Sequence, residues 1–575
     1  MPSPQNPNRS GGAGEALARS LAARFVTNTG NSPPLGTPSR PCRGLLIAVA
    51  VAFTTALPTL RAQLPAEPLA IEPGVPQFVF DNHVVDNLWA IRYKSQVVRR
   101  VFHQPVKRPE NPLAGFAEDN PSYVAVVRDE IDEATGQARF RMYYQANVLV
   151  RGTGEKLDDP NQETLPDAKN PAAAKGRAYR TEIGYAESPD GLHWTRPALD
   201  LFPEKSGGAP NNYVIGLPGR PEIEACAPIV VENVPEADRR GFKTLLLYRA
   251  KGKGAGDIAG IRLAGTRDGI HFEDDTAIAH LHSDHHNAVC YDPVARNYVM
   301  FCRAKQIYRA FGTEMIDTGA SRRVASLRSP ELWGDWLAHD QPRTLLVPDE
   351  KDAETMRTFF YGMPTVYRHG IFWGFLEPFR MNDYIHTEVA TSRDGATWLR
   401  LPDRPKLVEF GPEGAWDDTM IFGSPAWVPV GDEWWFYYTG WDGPHGGTDR
   451  AGGVGVATCK RERLIGQQGP PGGGVLCTRT LTWPGGDLWL NVAPVGEDDD
   501  PAKSKVTVRV SDVGRKVLEG FDHPDCAPLA GSADETRQVM TWQGGKGMSD
   551  LKGQVIRLEF YLENAELFAF GVGGE

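Results

Sequence analysis

Aromatic and β-branched residues recur along this chain in short runs separated by turn residues. Five runs read as aromatic-rich strands: FRMYYQA from Phe140, KTLLLYRA from Lys243, NYVMFCRA from Asn297, GIFWGFLEP from Gly370 and EWWFYYTGW from Glu433. A second strand and a turn precede each one: PSYVAVVRD (Pro121), APIVVEN (Ala227), NAVCYDP (Asn287), MPTVYRHG (Met363) and SPAWVPVGD (Ser424). A third strand follows each: IGYAESPDG (Ile183), IRLAGTRDG (Ile261), RRVASLRSPELW (Arg322), EVATSRDG (Glu388) and GGVGVATCKR (Gly452). Three of these third strands run into SPDGLHW, TRDGIHF and SRDGATW, where Asp-Gly predicts a tight turn and the aromatic after it packs back on the sheet. In the third unit the same place reads SPELWGDW, from Ser329 to Trp336. Helical periods are scarce.

The aromatic strands recur on average every ~73 residues, a period that fits a three- or four-stranded antiparallel unit with long loops. Such a unit repeated five times predicts a five-bladed β-propeller over residues 78–465. A β-sandwich, or an array of small ones, is the alternative, which the recurring Asp-Gly motif disfavours. GQQGPPGGG at 466–474 predicts a Gly/Pro hinge. Beyond it the repeat stops, and DLWLNVA, SKVTVRVSD, TRQVMTW, QVIRLEFYL and ELFAFGV predict a small β-sandwich over 475–575. The fold class is therefore all-β.

The N-terminal segment differs. Residues 1–43 are polar, rich in Pro, Gly, Ser and Arg, and lead into GLLIAVAVAFTTAL, Gly44 to Leu57, with Arg40 and Arg43 before it and Leu60-Arg61-Ala62 after it. A basic lead, a short apolar run and a small residue predict an export signal over 1–62, followed by a linker over 63–77. The leader is long for a signal, which fits a start codon further downstream. The apolar run is short for a transmembrane helix, and an uncleaved signal anchor is the alternative. A secreted or periplasmic location is expected. Of the seven cysteines, Cys42 lies in the leader. The other six form no CxxC pair, and Cys290 and Cys302 flank a turn that sends them to opposite sheet faces, so they are left unpaired.

Composition sharpens this picture at three points. The 61 Gly and 46 Pro sit largely at turns, as a many-stranded fold requires. With Lys+Arg 62 and Asp+Glu 73, the net charge of −11 argues against a nucleic-acid partner. Walker, dinucleotide, HExxH and GxSxG motifs are missing from the sequence.

In a propeller the inner strands line a central channel and their starts face one mouth. Four of the five inner strands have a carboxylate just before them: Asp119 in AEDNPSY, Glu224 in EIEACAP, Asp284 in HSDHHNAV and Asp417 in GAWDDTMIFGSP. Clustered carboxylates suit glycoside cleavage, in which one acid stays protonated and another ionised. Trp416, Trp441 and Phe116 offer faces for sugar rings. His285 and His286 are adjacent and point to opposite faces of a strand, so sugar hydrogen bonding is favoured over a joint metal site. Glu377, Arg380 and His445 are further candidates to touch a substrate. No cofactor is expected, and no calcium-loop spacing supports a structural calcium.

The five units, the inner-strand carboxylates, SPDGLHW and SRDGATW resemble the five-bladed propeller glycosidases of glycoside hydrolase families 32 and 43, over residues 78–465. The tail VIRLEFYLENAELFAFGV resembles the sandwich appended to family-32-like bacterial proteins. The family-32 signature WMNDPNG is absent, and AEDNPSY keeps only an acid followed by Asn-Pro. The resemblance implies Asp119 as nucleophile or base, Glu224 as transition-state stabiliser and Asp284 as general acid. Asp417 then holds sugar hydroxyls or tunes a neighbour. The expected function is an exported glycoside hydrolase acting on a poly- or oligosaccharide. A non-catalytic carbohydrate-binding propeller and a cell-envelope interaction propeller remain the alternatives.

Overall fold

The computed structural model describes residues 67–86, 96–129, 139–150, 178–217, 219–252, 256–283, 286–304, 322–353, 358–380, 384–445, 450–495, 503–530 and 536–573. Residues 67–575 form one compact unit. The apolar stretch Gly44–Leu57 lies outside the described residues, as do Asp284 and His285. Among the described residues, no helix is long and apolar enough to cross a membrane.

Five antiparallel sheets follow one another along the chain, each with its first strand innermost. Blade one is Ser122–Arg128, Phe140–Val150 and Ala178–Ser188. Blade two is Glu224–Val230, Thr244–Lys251, Gly260–Thr266 and Phe272–Ala279. Blade three is Ala288–Asp292, Asn297–Ala304, Arg323–Ser329 and Arg343–Leu346. Blade four is Thr365–Arg368, Ile371–Leu376, Glu388–Ser392 and Leu399–Arg400. Blade five is Met420–Val430, Glu433–Trp441 and Gly452–Lys460, and its outer edge is completed by Val106–Lys107 from before blade one.

Three features close the ring. The closing strand ties the start of the propeller to its end. The first and fifth inner strands meet, with Ser424 Oγ donating to the Val124 carbonyl and the Tyr123 ring against Phe422. Along the axis, Tyr123, Ala227, Tyr361, Met420, Phe422 and Trp441 from blades one, two, four and five form a single buried cluster.

The Asp-Gly motifs explain how adjacent blades lock. In each, the Ser or Thr hydroxyl accepts from the Gly N–H: Ser188 from Gly191 at 2.8 Å, Thr266 from Gly269 at 2.9 Å and Ser392 from Gly395 at 2.9 Å. The Asp carboxylate caps the next two N–H groups. The turn so formed presents a carbonyl to the preceding blade. Tyr437 of blade five donates to Gly191 O at 2.9 Å, Tyr143 of blade one to Gly269 O at 2.8 Å, and Arg328 of blade three to Asp394 O at 2.7 Å. The repeated motif is thus an inter-blade joint.

Two sheets face each other in the C-terminal part. One contains Gly474–Cys477, Lys505–Asp512 and Val555–Glu563; the other contains Leu488–Pro494 and Ala565–Val572. Val508, Phe560, Leu490, Leu567 and Phe570 are among the side chains buried between them, as in a β-sandwich. Residues expected to end a linker and open the propeller instead pair here: Leu69–Ala70 and Gln96–Val97 join the first sheet, Gln77–Phe78 and Arg99–Phe102 the second. The expected hinge begins as strand Ile465–Gln468, paired on both sides. Phe78, Trp373, Trp427, Trp434 and Trp489 share one core, so the sandwich packs directly on blades four and five. The six described cysteines are free. Cys290 pairs with Val299 in register, and Cys290 and Cys302 enter different cores.

Candidate functional site

Inner strands start, and second strands end, at the same mouth of the channel. Asp119, Glu224, His286, Glu377, Trp441 and His445 therefore belong to one face of the propeller, called here the upper mouth. Two inner strands bulge close to it. Tyr123 (φ 49°) and Ala227 (φ 53°) take left-handed backbone that non-glycine residues avoid, beside register shifts in blades one and two. Such bulges re-aim side chains and concentrate at functional sites.

The centre of this mouth holds a buried polar group of residues. Glu377 follows the second strand of blade four, and its backbone is pinned by Tyr361 N–H to Glu377 O (2.7 Å) and Glu377 N–H to Gly362 O (2.9 Å). Its carboxyl is wholly buried, and the His286 ring lies beside it, with Nδ1 3.8 Å from Oε1, outside hydrogen-bond range. Neither Glu377 oxygen has a hydrogen-bond partner among the described residues. Burial pushes this carboxyl well above the ordinary carboxylate range, and Arg322 pulls it back only in part. His286 packs against the Tyr123 ring at 4.3 Å. Tyr123 hydroxyl donates to Tyr361 hydroxyl at 3.2 Å, His445 Nε2 lies 3.0 Å from that same hydroxyl, and the Arg322 guanidinium sits 4.2 Å over the Tyr361 ring.

On the blade-one side, carboxylates have opposite surroundings. Asp119 Oδ2 accepts from Arg196 Nη1 at 2.5 Å and from the Tyr144 hydroxyl. Glu224 Oε2 accepts Thr181 N–H at 2.8 Å and Thr181 Oγ1 at 2.9 Å, with Lys251 Nζ at 3.6 Å. Beside it, Glu182 is buried with Lys205 Nζ at 2.6 Å and Arg180 Nε at 2.9 Å. Burial pushes Glu182 up to about 7, against the pull of Lys205 and Arg180, and Glu224 adds to the rise. Sequence reasoning missed Glu182. Its only signal was an acid inside AYRTEIGYAES, flanked by Thr181, Ile183, Tyr185 and Ala186, all buried.

The remaining expected residues separate. Asp417 is buried in the seam between the closing strand and blade five, accepting from Lys107 Nζ at 2.6 Å and the Tyr438 hydroxyl at 3.0 Å. Trp416 stacks on Tyr438, with centroids 5.6 Å apart. The pair therefore has an internal partner set. Trp441 is in the axial cluster with Arg450 4.7 Å over its ring. Phe116 is buried edge-on to Tyr144 at 5.2 Å. Arg380 is partly exposed on a short ribbon in which Thr358–Phe360 pairs with Pro378–Arg380. Asp284 and His285 lie outside the described residues. No group of three or more His, Cys, Asp or Glu among the described residues is placed to hold a metal ion.

Fold and mouth together define a five-bladed propeller with an acid- and aromatic-lined channel opening. No protein-family model matches the chain, and no curated protein matches it. Among solved structures the chain is similar to an N-acetylgalactosamine deacetylase from F. plautii, at 15% identity over 64% of this chain and 97% of that one, TM-score 0.41. It is also similar to a β-1,2-mannobiose phosphorylase from Listeria innocua (13%, 62% and 97%, TM-score 0.38) and to a thermostable family-43 glycoside hydrolase (14%, 64% and 96%, TM-score 0.35).

Proposed function

We propose that the chain is an exported carbohydrate-acting enzyme that cleaves a glycosidic bond of a poly- or oligosaccharide at the upper mouth. The observation that carries this reading is Glu377, a buried carboxyl held above its ordinary range in the channel of a propeller whose described mouth carboxylates Asp119 and Glu224 lie beside cations. Glycoside cleavage needs two carboxyl groups whose surroundings push them apart. Glu377, kept neutral by burial, suits the donor: its proton passes to the glycosidic oxygen as the C1–O bond breaks. Asp119, ion-paired with Arg196, suits the nucleophile or the base that takes a proton from attacking water. Glu224, fixed by Thr181, suits stabilisation of the positive charge that develops on the ring. The resemblance implies Asp284 as the donor, two residues before His286, and the assignment to Glu377 rests on its burial.

The test is release of reducing ends from a glycan panel by the full chain, Asp284→Asn and Glu377→Gln. The reading predicts cleavage of at least one glycan and a loss on the order of 100-fold or more in Glu377→Gln. Unchanged turnover in Glu377→Gln removes that residue from the mechanism; no cleavage by the parent protein removes the hydrolase reading. Export rests on Arg40, Arg43 and the apolar run Gly44–Leu57. Fractionation is expected to find the protein outside the cytoplasm, shortened by about 62 residues at its N-terminus.

A further inference from the structure

The propeller's opposite face carries a cavity of about 680 Å³ between the turns of blades two to five and the sandwich. That volume falls within the range of small-molecule sites. Three guanidiniums reach it. Arg368 is fixed by Glu232 at 2.6 and 2.9 Å, and Arg537 by Glu462 in a bidentate pair, both contacts 2.6 Å, while it stacks 3.9 Å over Trp489. Arg461 is different. Among the described residues its side chain meets no carboxylate, and its Nε is closed off from solvent without an acceptor. A shielded donor without an acceptor is a standing energetic penalty that a bound anion removes. Two tyrosines, Tyr291 and Tyr367, line the same cavity half-buried, and their hydroxyls have no partner among the described residues. Among the lining residues three arginines stand against one carboxylate, Glu462, so the lining itself is net positive.

We infer that this cavity binds an anionic sugar residue, its acidic group on Arg461 and its ring and hydroxyls against Tyr291 and Tyr367. The choice of a sugar over another anion rests on the carbohydrate reading of the upper mouth; the anionic preference does not. A planar guanidinium matches carboxylate and sulfate alike, so a uronate and a sulfated sugar share this chemistry.

Calorimetry on the full chain tests it, with tri-galacturonic acid, a sulfated trisaccharide and neutral galactotriose as probes. One acidic probe is expected to bind, and which of them does so names the anionic group. Neutral galactotriose is expected to bind at least tenfold more weakly. Arg461→Gln removes no ion pair among the described residues, so it is expected to keep the fold and to weaken the acidic probe at least tenfold. Glu377→Gln is expected to bind it like the parent. Binding by neither acidic probe, equal affinity for the neutral one, or no effect of Arg461→Gln overturns the inference. Acidic binding without any glycan cleavage overturns the reading of the upper mouth and leaves this one standing.

Discussion

Glu377 and His286 face each other 3.8 Å apart at the centre of the propeller, brought together from blades four and three, and both side chains are completely buried. The relationship has a thermodynamic consequence. The folded state holds the Glu377 proton well above 4.5, while the unfolded chain releases it near 4.5. Between those two values the folded state binds more protons, so stability contributed by this group is full below pH 4.5 and is lost as pH rises. Denaturant titrations from pH 4 to 8 are expected to show Glu377→Gln gaining stability relative to the parent as pH rises. A constant difference across that range contradicts the buried neutral carboxyl.

His369, beside the opposite cavity, works in the other direction. Burial is the main cause that lowers it, from 6.5 to about 4. The unfolded chain takes up this proton as pH falls through 6.5 and the folded chain waits until about 4, so stability is lost on acidification across that window. The loss is on the order of 2 kcal/mol after solvent screening is allowed for. His369→Gln is expected to flatten this part of the pH–stability curve, as read by chemical denaturation.

The joint between blades five and one depends on a turn that only glycine fits. Gly191 has φ +80°, and a Cβ there would lie 2.6 Å from the Tyr437 hydroxyl that donates to its carbonyl. Gly191→Ala is expected to cost about 2 kcal/mol or more, from left-handed backbone and displacement of a fully buried tyrosine. Tyr437→Phe, which loses one hydrogen bond, is expected to cost about 1 kcal/mol. Thermal and denaturant unfolding of the two variants checks the order.

Asp417 and Lys107 form an ion pair across the closing strand. Removing only one partner leaves a charge without its counter-ion in a largely dry seam, at about 3 kcal/mol or more. Asp417→Asn is expected to lower the unfolding temperature and leave KM unchanged, and Lys107→Met with Asp417→Leu is expected to recover much of the stability. A raised KM at unchanged stability would instead place Asp417 at the substrate.

Local pattern carried the propeller. NYVMFCRA and EWWFYYTGW are dense in strand formers, the [ST]-x-Asp-Gly turns make their own hydrogen bonds, and the alternation in QVIRLEFYL appears as alternating burial along Val555–Glu563. What could not be read was set by distant pairing. Leu69–Ala70 and Gln96–Val97 are two-residue strands with no pattern of their own, recruited by sheet edges from the far end of the chain. Asp417 looked like its neighbours at the inner-strand starts because its partner, Lys107, lies 310 residues away. Glu182 was hidden because its partner Lys205 reaches it from the short 3-10 helix Pro203–Ser206, which shows no pattern of its own in the sequence. Glu377 was visible as an acid following an aromatic strand, but its burial against His286 depends on two blades meeting.

The central claim is that Glu377 supplies the proton to a glycosidic leaving group. Kinetics of Glu377→Gln on two substrates test it most directly: the glycan cleaved by the parent protein, and an aryl glycoside of the same sugar whose dinitrophenolate leaves without a proton. The account predicts a loss in kcat/KM of ~100-fold or more on the glycan and little change on the aryl glycoside. Equal losses on both substrates, or none on either, would contradict it.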